Sequence, residues 1–422
     1  MKSIVICCDG TGNEISENIS NVLKLYRVLR KTGKTEPRQV VFYDPGVGTL
    51  ARPNPWTKLR QDAIAILGLV TGYGLDDNVL AAYEFLINEY EDGDDIYLFG
   101  FSRGAYTVRV LAGVVHKVGL LAPQQSNLAG AALTAYKQAA VSAAQEKSDL
   151  VRNEGVSGEE ESGQAGPSTR DDRASQFARI VSTRWPTIKF IGVWDTVASV
   201  IVPRPDRFYT FSLQRLPHTQ LNPSVKIFRQ AIAIDERRRM FRLHPWDQPQ
   251  TFMHNRFSKT NNSEPQDVQQ VWFAGVHADV GGGYPERESG LSKFPLLWII
   301  DEAVKCGLSV DRRTVNQLGW GIQRMSSPFS YVAPDINRDP HQSLAGLWRP
   351  LEWIPKANEY KEWRWRKSLW GHYLPGGEPR FIPEDAFIHG SVVARMQSVS
   401  NYRPVNMPSR YQVFPTPCGP GA

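Results

Sequence analysis

Residues 95–113 read DIYLFGFSRGAYTVRVLAG, and this stretch decides the fold. An apolar run ends at the pentapeptide Gly100-Phe-Ser-Arg-Gly104, and apolar residues then recur at helical spacing over 105–115. In a G-x-S-x-G turn the two glycines let a strand and a helix pass closely, and the serine hydroxyl is exposed at the carboxyl edge of the sheet. The pattern predicts that Ser102 is a nucleophile; the alternative is a tight turn whose serine only caps the helix.

Strands and helices alternate on both sides of this turn. Short apolar runs bounded by turn residues predict strands at 4–8, 40–43, 96–99, 188–194 and 271–276. Helical periodicity is present at 20–30 and 75–90. This alternation predicts an α/β fold in which helices cover both faces of a mostly parallel central sheet.

The length of 422 residues suits two or three domains, or one enlarged α/β domain. Because the predicted strands run from residue 4 to residue 276, we predict a single domain over 1–422. Residues 123–180 are rich in Ala, Gln, Ser, Glu and Gly, which predicts an insertion that forms a lid or is disordered. Beyond this core, residues 307–422 predict an irregular, Trp-rich C-terminal part.

Composition excludes several classes of protein. No apolar run reaches the roughly 18 residues of a membrane-spanning helix, and the N-terminal run is too short for a secretory signal. The 4 cysteines form neither a disulfide framework nor a zinc-binding spacing, which predicts synthesis in the cytoplasm. The net charge of +6 permits contact with anionic lipid, but no nucleic-acid-binding module accompanies it, and we predict no nucleic-acid partner.

A serine nucleophile needs a base, and the base needs a third group that orients it. In α/β-hydrolases these residues follow the chain order Ser, Asp or Glu, then His. Here Asp195 follows the run FIGVW and His277 follows WFAGV, so each stands at the carboxyl end of a predicted strand, where the ligand crevice of such sheets lies. We predict Ser102, Asp195 and His277 as the catalytic residues. The alternatives are a helix cap at Asp195 and a rival base at His389.

The tetrahedral intermediate of acyl transfer needs two N–H donors. One is expected from Arg103, the residue after the nucleophile, and the other from Gly10 or Thr11 in the turn after the first strand. In the alternative interpretation, Asp9 and Gly10 only make a tight turn. The Asp-Gly-Thr sequence is similar to that of haloacid-dehalogenase phosphatases, but Cys7 stands where their nucleophilic aspartate would be, so this chemistry is excluded.

The acidic residues near the predicted site allow one other chemistry. Asp279 follows His277 by two positions, and we expect it to support the site by holding the glycine-rich loop 281–283. A metal site built from Asp9, Asp195, His277 and Asp279 is the alternative. The prediction is that no metal and no cofactor is needed.

Residues 347–373, LWRPLEWIPKANEYKEWRWRKSLWGHY, combine aromatic and basic side chains. Tryptophan rings interleaved with Arg and Lys suit a membrane interface, where rings lie at headgroup depth and cations meet phosphate. The alternative is that the rings pack as a cap over the sheet with arginines stacked on them. Peripheral membrane contact through 347–373 is therefore an open prediction.

Several motifs occur together and in one order along the chain. They are ICCDGTGN (6–13), YDPGVGT (43–49), GLDDNVLAAYEFL (74–86), DIYLFGFSRGAYTVRVLAG (95–113), FIGVWDTV (190–197), AIDERRRMF (233–241), VWFAGVHADVGGGY (271–284), IPEDAFIHGSVVARM (382–396) and YRPVNMP (402–408). Collectively this set resembles the α/β-hydrolase domain of the type VI secretion phospholipase-effector family over essentially the whole chain.

This resemblance implies an α/β-hydrolase-like fold with Ser102 as nucleophile, Asp195 as orienting acid and His277 as base. It also implies hydrolysis of phospholipid acyl esters, delivery by a signal-independent secretion system, and an unidentified secretion or immunity partner. The chain departs from the family in having no obvious long membrane-docking domain.

The expected function is a serine hydrolase that cleaves lipid acyl esters through an acyl-enzyme. The alternatives are an esterase on small soluble esters or polyesters, and a non-catalytic binding scaffold.

Overall fold

The structure is a computed structural model that describes most of the chain. The described residues are 1–10, 19–46, 74–139, 173–181, 184–197, 201–204, 210–213, 216–254, 257, 263–325, 327–346, 348–358, 361–416 and 419, with the backbone alone for 201–204 and 210–213.

The centre of the molecule is an eight-stranded sheet in which every neighbouring pair of strands is parallel. Its strands are β1 (Ser3–Cys8), β2 (Gln39–Asp44), β3 (Asp95–Phe101), β4 (Ile188–Trp194), β5 (Val225–Ala233), β6 (Asp267–Phe273), β7 (Ala386–His389) and β8 (Tyr411–Phe414). The order across the sheet is β2-β1-β3-β4-β5-β6-β7-β8. The predicted α/β fold with a mostly parallel sheet is confirmed.

Helices lie between and after these strands. They are α1 (Asn21–Val28), α2 (Leu75–Glu89), α3 (Arg103–Lys117), α4 (Arg173–Val181), α5 (His277–Gly281), α6 (Lys293–Lys305), α7 (Arg312–Leu318), α8 (Trp348–Leu351) and α9 (Gly390–Ser398). Residues 129–139 are also helical, and 3₁₀ turns cover Pro123–Leu128, Arg239–Phe241 and Glu286–Glu288. Three antiparallel ribbons pair Ile201–Arg204 with Thr210–Leu213, Thr251–Met253 with Ser263–Pro265, and Lys356–Ala357 with His372–Tyr373.

The core has two layers, one on each face of the sheet. Side chains alternate along β1, so Ile4 and Ile6 join the cluster formed with α2 and α3, while Val5 and Cys7 join the cluster formed with α1, α6 and α7. Burial on both faces explains why β1 is continuously apolar.

The sequence did not predict β5, which lies between β4 and β6. Two polar residues, Arg229 and Gln230, interrupt its apolar pattern, although both are buried. The Arg229 Nε donates to Glu302 at 2.7 Å, and the Gln230 side chain donates to the His244 carbonyl at 3.2 Å. Internal partners therefore allow polar side chains in a buried strand.

Two other expectations need correction. The sheet does not end near residue 276, because β7 and β8 extend it from within the predicted irregular part 307–422. The predicted insertion also begins within the packed core: Tyr136 is fully buried and donates to the Pro217 carbonyl at 2.5 Å. Residues 140–172 of the predicted lid or disordered insertion lie outside the described residues. Within the described part of the chain, no helix is long and apolar enough to cross a membrane.

Candidate active site

Ser102 lies at the turn between β3 and α3. Its backbone has φ of 56° and ψ of −119°, which is unusual for a residue with a side chain. The Ser102 N–H donates to the Trp194 carbonyl at 3.1 Å, so the last residue of β4 holds the turn. Strained backbone of this kind occurs at functional sites when the surrounding structure enforces it.

The glycines of the turn allow three backbone segments to meet. A Cβ on Gly104 would lie 2.1 Å from the Cys8 carbonyl oxygen and 2.5 Å from that of Asp9. A Cβ on Gly100 would lie 2.5 Å from the Gly104 carbonyl oxygen. The start of α3 is therefore pressed against the end of β1, as expected from the two glycines of the motif.

A line of hydrogen bonds joins the three predicted catalytic side chains. The Nε2 atom of His277 lies 2.8 Å from the Ser102 Oγ, and its Nδ1 atom lies 2.5 Å from the Asp195 Oδ2. Because a carboxylate only accepts, we assign the ring proton to Nδ1, which leaves Nε2 free to accept from the serine hydroxyl. All three side chains are buried. The arrangement can activate the hydroxyl by general-base catalysis.

Burial and charge act on the two ionisable members of this line. Burial alone would raise the pKa of Asp195, but the charge of Arg380 and the hydrogen bond from His277 hold the pKa well below its usual value, so the carboxylate is ionised. Burial lowers the pKa of His277, and the hydrogen bond to Asp195 opposes this effect only in part. The imidazole is therefore neutral near pH 7, as a base must be.

Arg380 is a site residue that sequence reasoning missed. Its two terminal nitrogens donate to both oxygens of Asp195, at 2.5 Å and 2.9 Å. The Ala233 N–H, at the end of β5, also donates to Asp195 Oδ1 at 2.9 Å. No local pattern in the sequence singled out Arg380, because it lies between Pro379 and Phe381, outside every predicted strand and helix.

Glu236 is a second missed residue, although it belongs to the motif AIDERRRMF (233–241). Its carboxylate accepts from the His277 N–H at 3.2 Å and from the Arg238 side chain at 2.9 Å and 3.0 Å. Burial would raise the pKa of Glu236, but the charge of Arg238 lowers it to about 2. An ionised Glu236 thus holds the first residue of α5. The adjacent acidic and basic residues of the motif were the sequence signal that could have identified Glu236.

The predicted oxyanion donors have different surroundings. Within the part of the chain that the structure describes, no acceptor is paired with the Arg103 N–H at the start of α3. The Gly10 N–H instead donates to Asp9 Oδ1 at 2.7 Å, and Thr11 lies outside the described residues. Asp9 also accepts from Ser20 and Tyr43, so it braces the turn beside the start of α3.

Asp279 supports a neighbouring segment and not the glycine loop as expected. It accepts from the Val276 N–H at 3.0 Å, and its other oxygen lies 2.6 Å from His341 Nδ1. Position 281 requires glycine because of a close contact with Phe101: a Cβ there would lie 1.9 Å from the Phe101 ring.

The rival base His389 lies elsewhere in the fold. It precedes α9, where its Nδ1 is bonded to Ser391, and its ring stacks on Phe273. Burial lowers the pKa of His389 to about 3. This histidine is a buried helix cap, whereas His277 reaches the serine.

Aromatic rings surround the His277 imidazole. Phe101 lies 4.7 Å from it between ring centroids, and Phe241 lies 4.8 Å from it in an edge contact. Trp348, on α8, packs edge-on against Phe241 at 5.2 Å. The C-terminal part therefore reaches the site through both Trp348 and Arg380.

The tryptophans of 347–373 divide between the two interpretations left open above. Trp348 is buried, and Trp363 is partly buried and donates to the Pro379 carbonyl at 2.7 Å. Trp353, Trp365 and Trp370 have exposed fractions of 66%, 67% and 91%. Some of the rings thus form a cap, and others face outward.

The described residues contain no cluster of side chains that would form the alternative metal site. No group of three or more His, Cys, Asp or Glu side chains stands close enough there to hold a metal ion. Asp9 contacts Tyr43 and Asp279 contacts His341, whereas Asp195 and His277 contact each other.

The model of a family described as "T6SS, Phospholipase effector Tle1-like, catalytic domain" matches residues 2–302. The chain belongs to this family. Membership in the Tle1-like catalytic family makes it a relative of enzymes that are named for acting on phospholipid esters.

Relatives of this Tle1-like domain occur in different organisms. The uncharacterized protein YEL023C of Saccharomyces cerevisiae is 30% identical over 583 aligned positions, which cover 96% of this chain and 80% of that protein. A crystal structure of an uncharacterized protein from Pseudomonas aeruginosa is 17% identical, covers 74% of this chain and has a TM-score of 0.36. The Tle1 effector bound to the VgrG spike is 18% identical, covers 67% of this chain and has a TM-score of 0.30. This chain spans about half of those two solved chains, 46% and 51%.

Proposed function

We propose that this protein is a serine hydrolase that cleaves acyl esters of phospholipids or related lipids. The observation that carries the proposal is the hydrogen-bonded line Ser102–His277–Asp195 in a chain of the Tle1-like catalytic family. An ordered, buried line of this kind needs a strained turn and three separate strand ends, which a passive scaffold would not require.

In the proposed reaction, His277 Nε2 takes the proton of Ser102 as Oγ attacks the ester carbonyl. Asp195 accepts from Nδ1–H, keeps the ring in the productive tautomer and stabilises the imidazolium that forms. His277 then gives the proton to the departing alcohol, and an acyl-enzyme remains on Ser102. Water, activated by the same imidazole, releases the fatty acid.

The negative oxygen of the intermediate would be stabilised at the start of α3. The Arg103 N–H, which has no acceptor among the described residues, supplies one donor, and the helix N-terminus favours the charge. Either Gly10 or Thr11 supplies the second donor in this proposal. Gly10 can do so only if its N–H leaves the Asp9 carboxylate; otherwise the Thr11 N–H is the donor. No step calls for a metal or a cofactor.

We also propose that the outward tryptophans serve as a peripheral membrane contact. The name aromatic-basic surface is used here for Trp353, Arg364, Trp365, Lys367 and Trp370, which are all exposed. Indole rings prefer the bilayer interface, and cations beside them are attracted to anionic headgroups.

The decisive experiment combines covalent labelling with two substrates. A fluorophosphonate probe should label the wild-type chain at Ser102, and Ser102→Ala should lose both labelling and turnover while its circular dichroism stays unchanged. Ser126→Ala, on the 3₁₀ turn Pro123–Leu128, is the matched control and should behave as wild type. Turnover by Ser102→Ala would disprove the nucleophile, and absence of labelling in folded protein would favour a binding scaffold.

The choice of substrate is tested by comparing phospholipid vesicles with a short p-nitrophenyl ester. Release of fatty acid from vesicles by the wild type, but not by Ser102→Ala, is the expected result. Cleavage of the soluble ester alone would replace the lipid proposal by an esterase acting on small esters or polyesters.

Delivery is a separate proposal that rests on the family description, which names a secretion system. We propose that this chain is exported by a signal-independent route with a secretion partner, and that an immunity protein binds it in the producing cell. Detection of the unprocessed chain outside cells, and its loss when the secretion apparatus is disrupted, would support the proposal. Retention of the chain inside cells under all conditions would contradict it.

A further inference from the structure

Arg380 stands out because it lies outside the part of the chain that the family model matches. The family model matches 2–302, whereas Arg380 follows the ribbon strand His372–Tyr373. Its guanidinium is nevertheless almost fully buried against Asp195, with an exposed side-chain fraction of 1%. A residue of the C-terminal part therefore reaches the centre of the proposed site.

We infer that Arg380 is a positioning residue, which orients Asp195 and balances its charge so that His277 works as a neutral base. The inference rests on the proposed function, because it assigns Arg380 a task in the same reaction. It goes beyond that function by making the segment that carries Arg380 necessary for full activity.

The hydrogen bonds of Arg380 fix the orientation of the Asp195 carboxylate. The guanidinium donates to both oxygens of Asp195, to the Ala233 carbonyl at 3.1 Å and to the Phe241 carbonyl at 2.6 Å. Two parallel N–H groups meeting two carboxylate oxygens fix the plane of the carboxylate, which a single contact cannot do. The plane decides whether Asp195 Oδ2 faces His277 Nδ1.

Positive and negative charges balance around His277. Two anions contact the residue, Asp195 at the ring and Glu236 at the backbone N–H. Two cations pair with these anions, Arg380 with Asp195 and Arg238 with Glu236. Ser102, Phe101 and Phe241 are the neutral neighbours of the ring. Removing Arg380 would leave the anions in excess, which favours the imidazolium over the neutral base.

The test compares three variants of the full chain, with turnover expressed per site labelled by fluorophosphonate. Arg380→Gln should lower kcat roughly a hundredfold, the scale of a misplaced catalytic group, and leave KM nearly unchanged because Arg380 is too buried to touch substrate. The acid limb of its kcat/KM profile should move to higher pH by about one pH unit. Arg380→Lys keeps the charge, so its acid limb should lie at the wild-type pH, but its kcat should stay below that of the wild type.

Arg229→Gln is the matched control. Arg229 is also a buried arginine with two hydrogen bonds to the side chain of one aspartate, Asp267. It lies on β5, four residues before Ala233, and does not contact Ser102, His277 or Asp195. This variant should lower the melting temperature and leave the acid limb in place. A fold-supporting role for Arg380 predicts the same behaviour, so an unmoved limb in folded Arg380→Gln overturns the inference.

The remaining outcomes cover a variant that does not fold and separate this inference from the proposed function. If Arg380→Gln does not fold, Arg380→Lys decides: a kcat equal to wild type overturns the positioning role, and a reduced kcat with an unmoved limb supports it. If Ser102→Ala still turns over the ester, the proposed function fails and the positioning role fails with it. Loss of turnover in Ser102→Ala, with a wild-type profile in both Arg380 variants, disproves only the positioning role.

Discussion

The Nε2 atom of His277 lies 2.8 Å from the Oγ of Ser102, although 175 positions separate the two residues. Ser102 follows β3 directly, and His277 comes four positions after the end of β6, so parallel strands bring both to the same edge of the sheet. Burial at this edge lowers the pKa of His277, and this shift makes the pH dependence of the proposed reaction predictable.

Activity should be lost on the acid side, at a pH below the ordinary histidine value of about 6.5. The base is active when neutral, and burial lowers its pKa although the Asp195 hydrogen bond opposes this. The kcat/KM for a neutral ester should therefore be flat near pH 7 and fall below about pH 6.5. A pH–rate profile with enzyme stability checked at each pH measures this limb, and a limb above pH 6.5 would contradict the prediction.

Asp195→Asn should reduce kcat by roughly 10⁴, because an amide can present the wrong group to Nδ1 and cannot stabilise the imidazolium. The matched control is Asp267→Asn at the first residue of β6, which removes a carboxylate that also pairs with an arginine. Steady-state kinetics on both variants should show the loss only for Asp195→Asn. Comparable losses of kcat in the two variants would mean that buried ion pairs in general support activity, and that Asp195 has no specific role.

Gly104→Ala should destabilise the fold by about 3 kcal/mol or more, because its Cβ would lie 2.1 Å from the Cys8 carbonyl oxygen. Gly130→Ala is the control, since a Cβ there meets nothing within 4 Å and the residue is helical. That change should stabilise the protein by about 0.5 to 1 kcal/mol. Urea denaturation measures both, and equal effects would refute the close approach.

Trp365→Ser and Trp370→Ser should each weaken binding to anionic phospholipid vesicles about tenfold, the effect of losing part of one buried ring. Turnover of a soluble ester should not change, because these rings face outward with exposed fractions of 67% and 91%. Phe329→Ser, at an exposed ring outside 347–373, is the control. Vesicle sedimentation at two salt concentrations measures binding, and unchanged sedimentation of both tryptophan variants would exclude the aromatic-basic surface.

Stability should also depend on His341, whose hydrogen bond to Asp279 raises its pKa above the ordinary value. A raised pKa in the folded state means that this contact stabilises the protein fully below about pH 6.5 and loses its effect as the pH rises through the folded pKa. The difference in unfolding free energy between wild type and His341→Gln should therefore shrink from pH 6 to pH 8. A difference that grows from pH 6 to pH 8 would contradict a raised pKa of His341 in the folded state.

Local patterns in the sequence were enough for the fold class and for the choice of three site residues. A strand followed by G-x-S-x-G, and two further apolar runs that end in Asp195 and His277, are short-range signals, and parallel strands bring their carboxyl ends to one edge. The same reasoning separated His277 from His389 only as a preference; the contacts of each ring distinguish them in the structure.

Tertiary structure alone decided where the buried charges go. Strand β5 was not predicted because it contains Arg229 and Gln230. A polar residue suggests an exposed segment unless its buried hydrogen-bond partner is known. Arg380 was missed for the same reason, since its partner Asp195 lies 185 positions away. Burying a charge is costly without a partner, and such pairing depends on which distant segments fold together. For that reason the G-x-S-x-G turn and the strand ends could be predicted from the sequence, whereas only the folded chain shows that Arg380 contacts Asp195 and that Glu236 contacts His277.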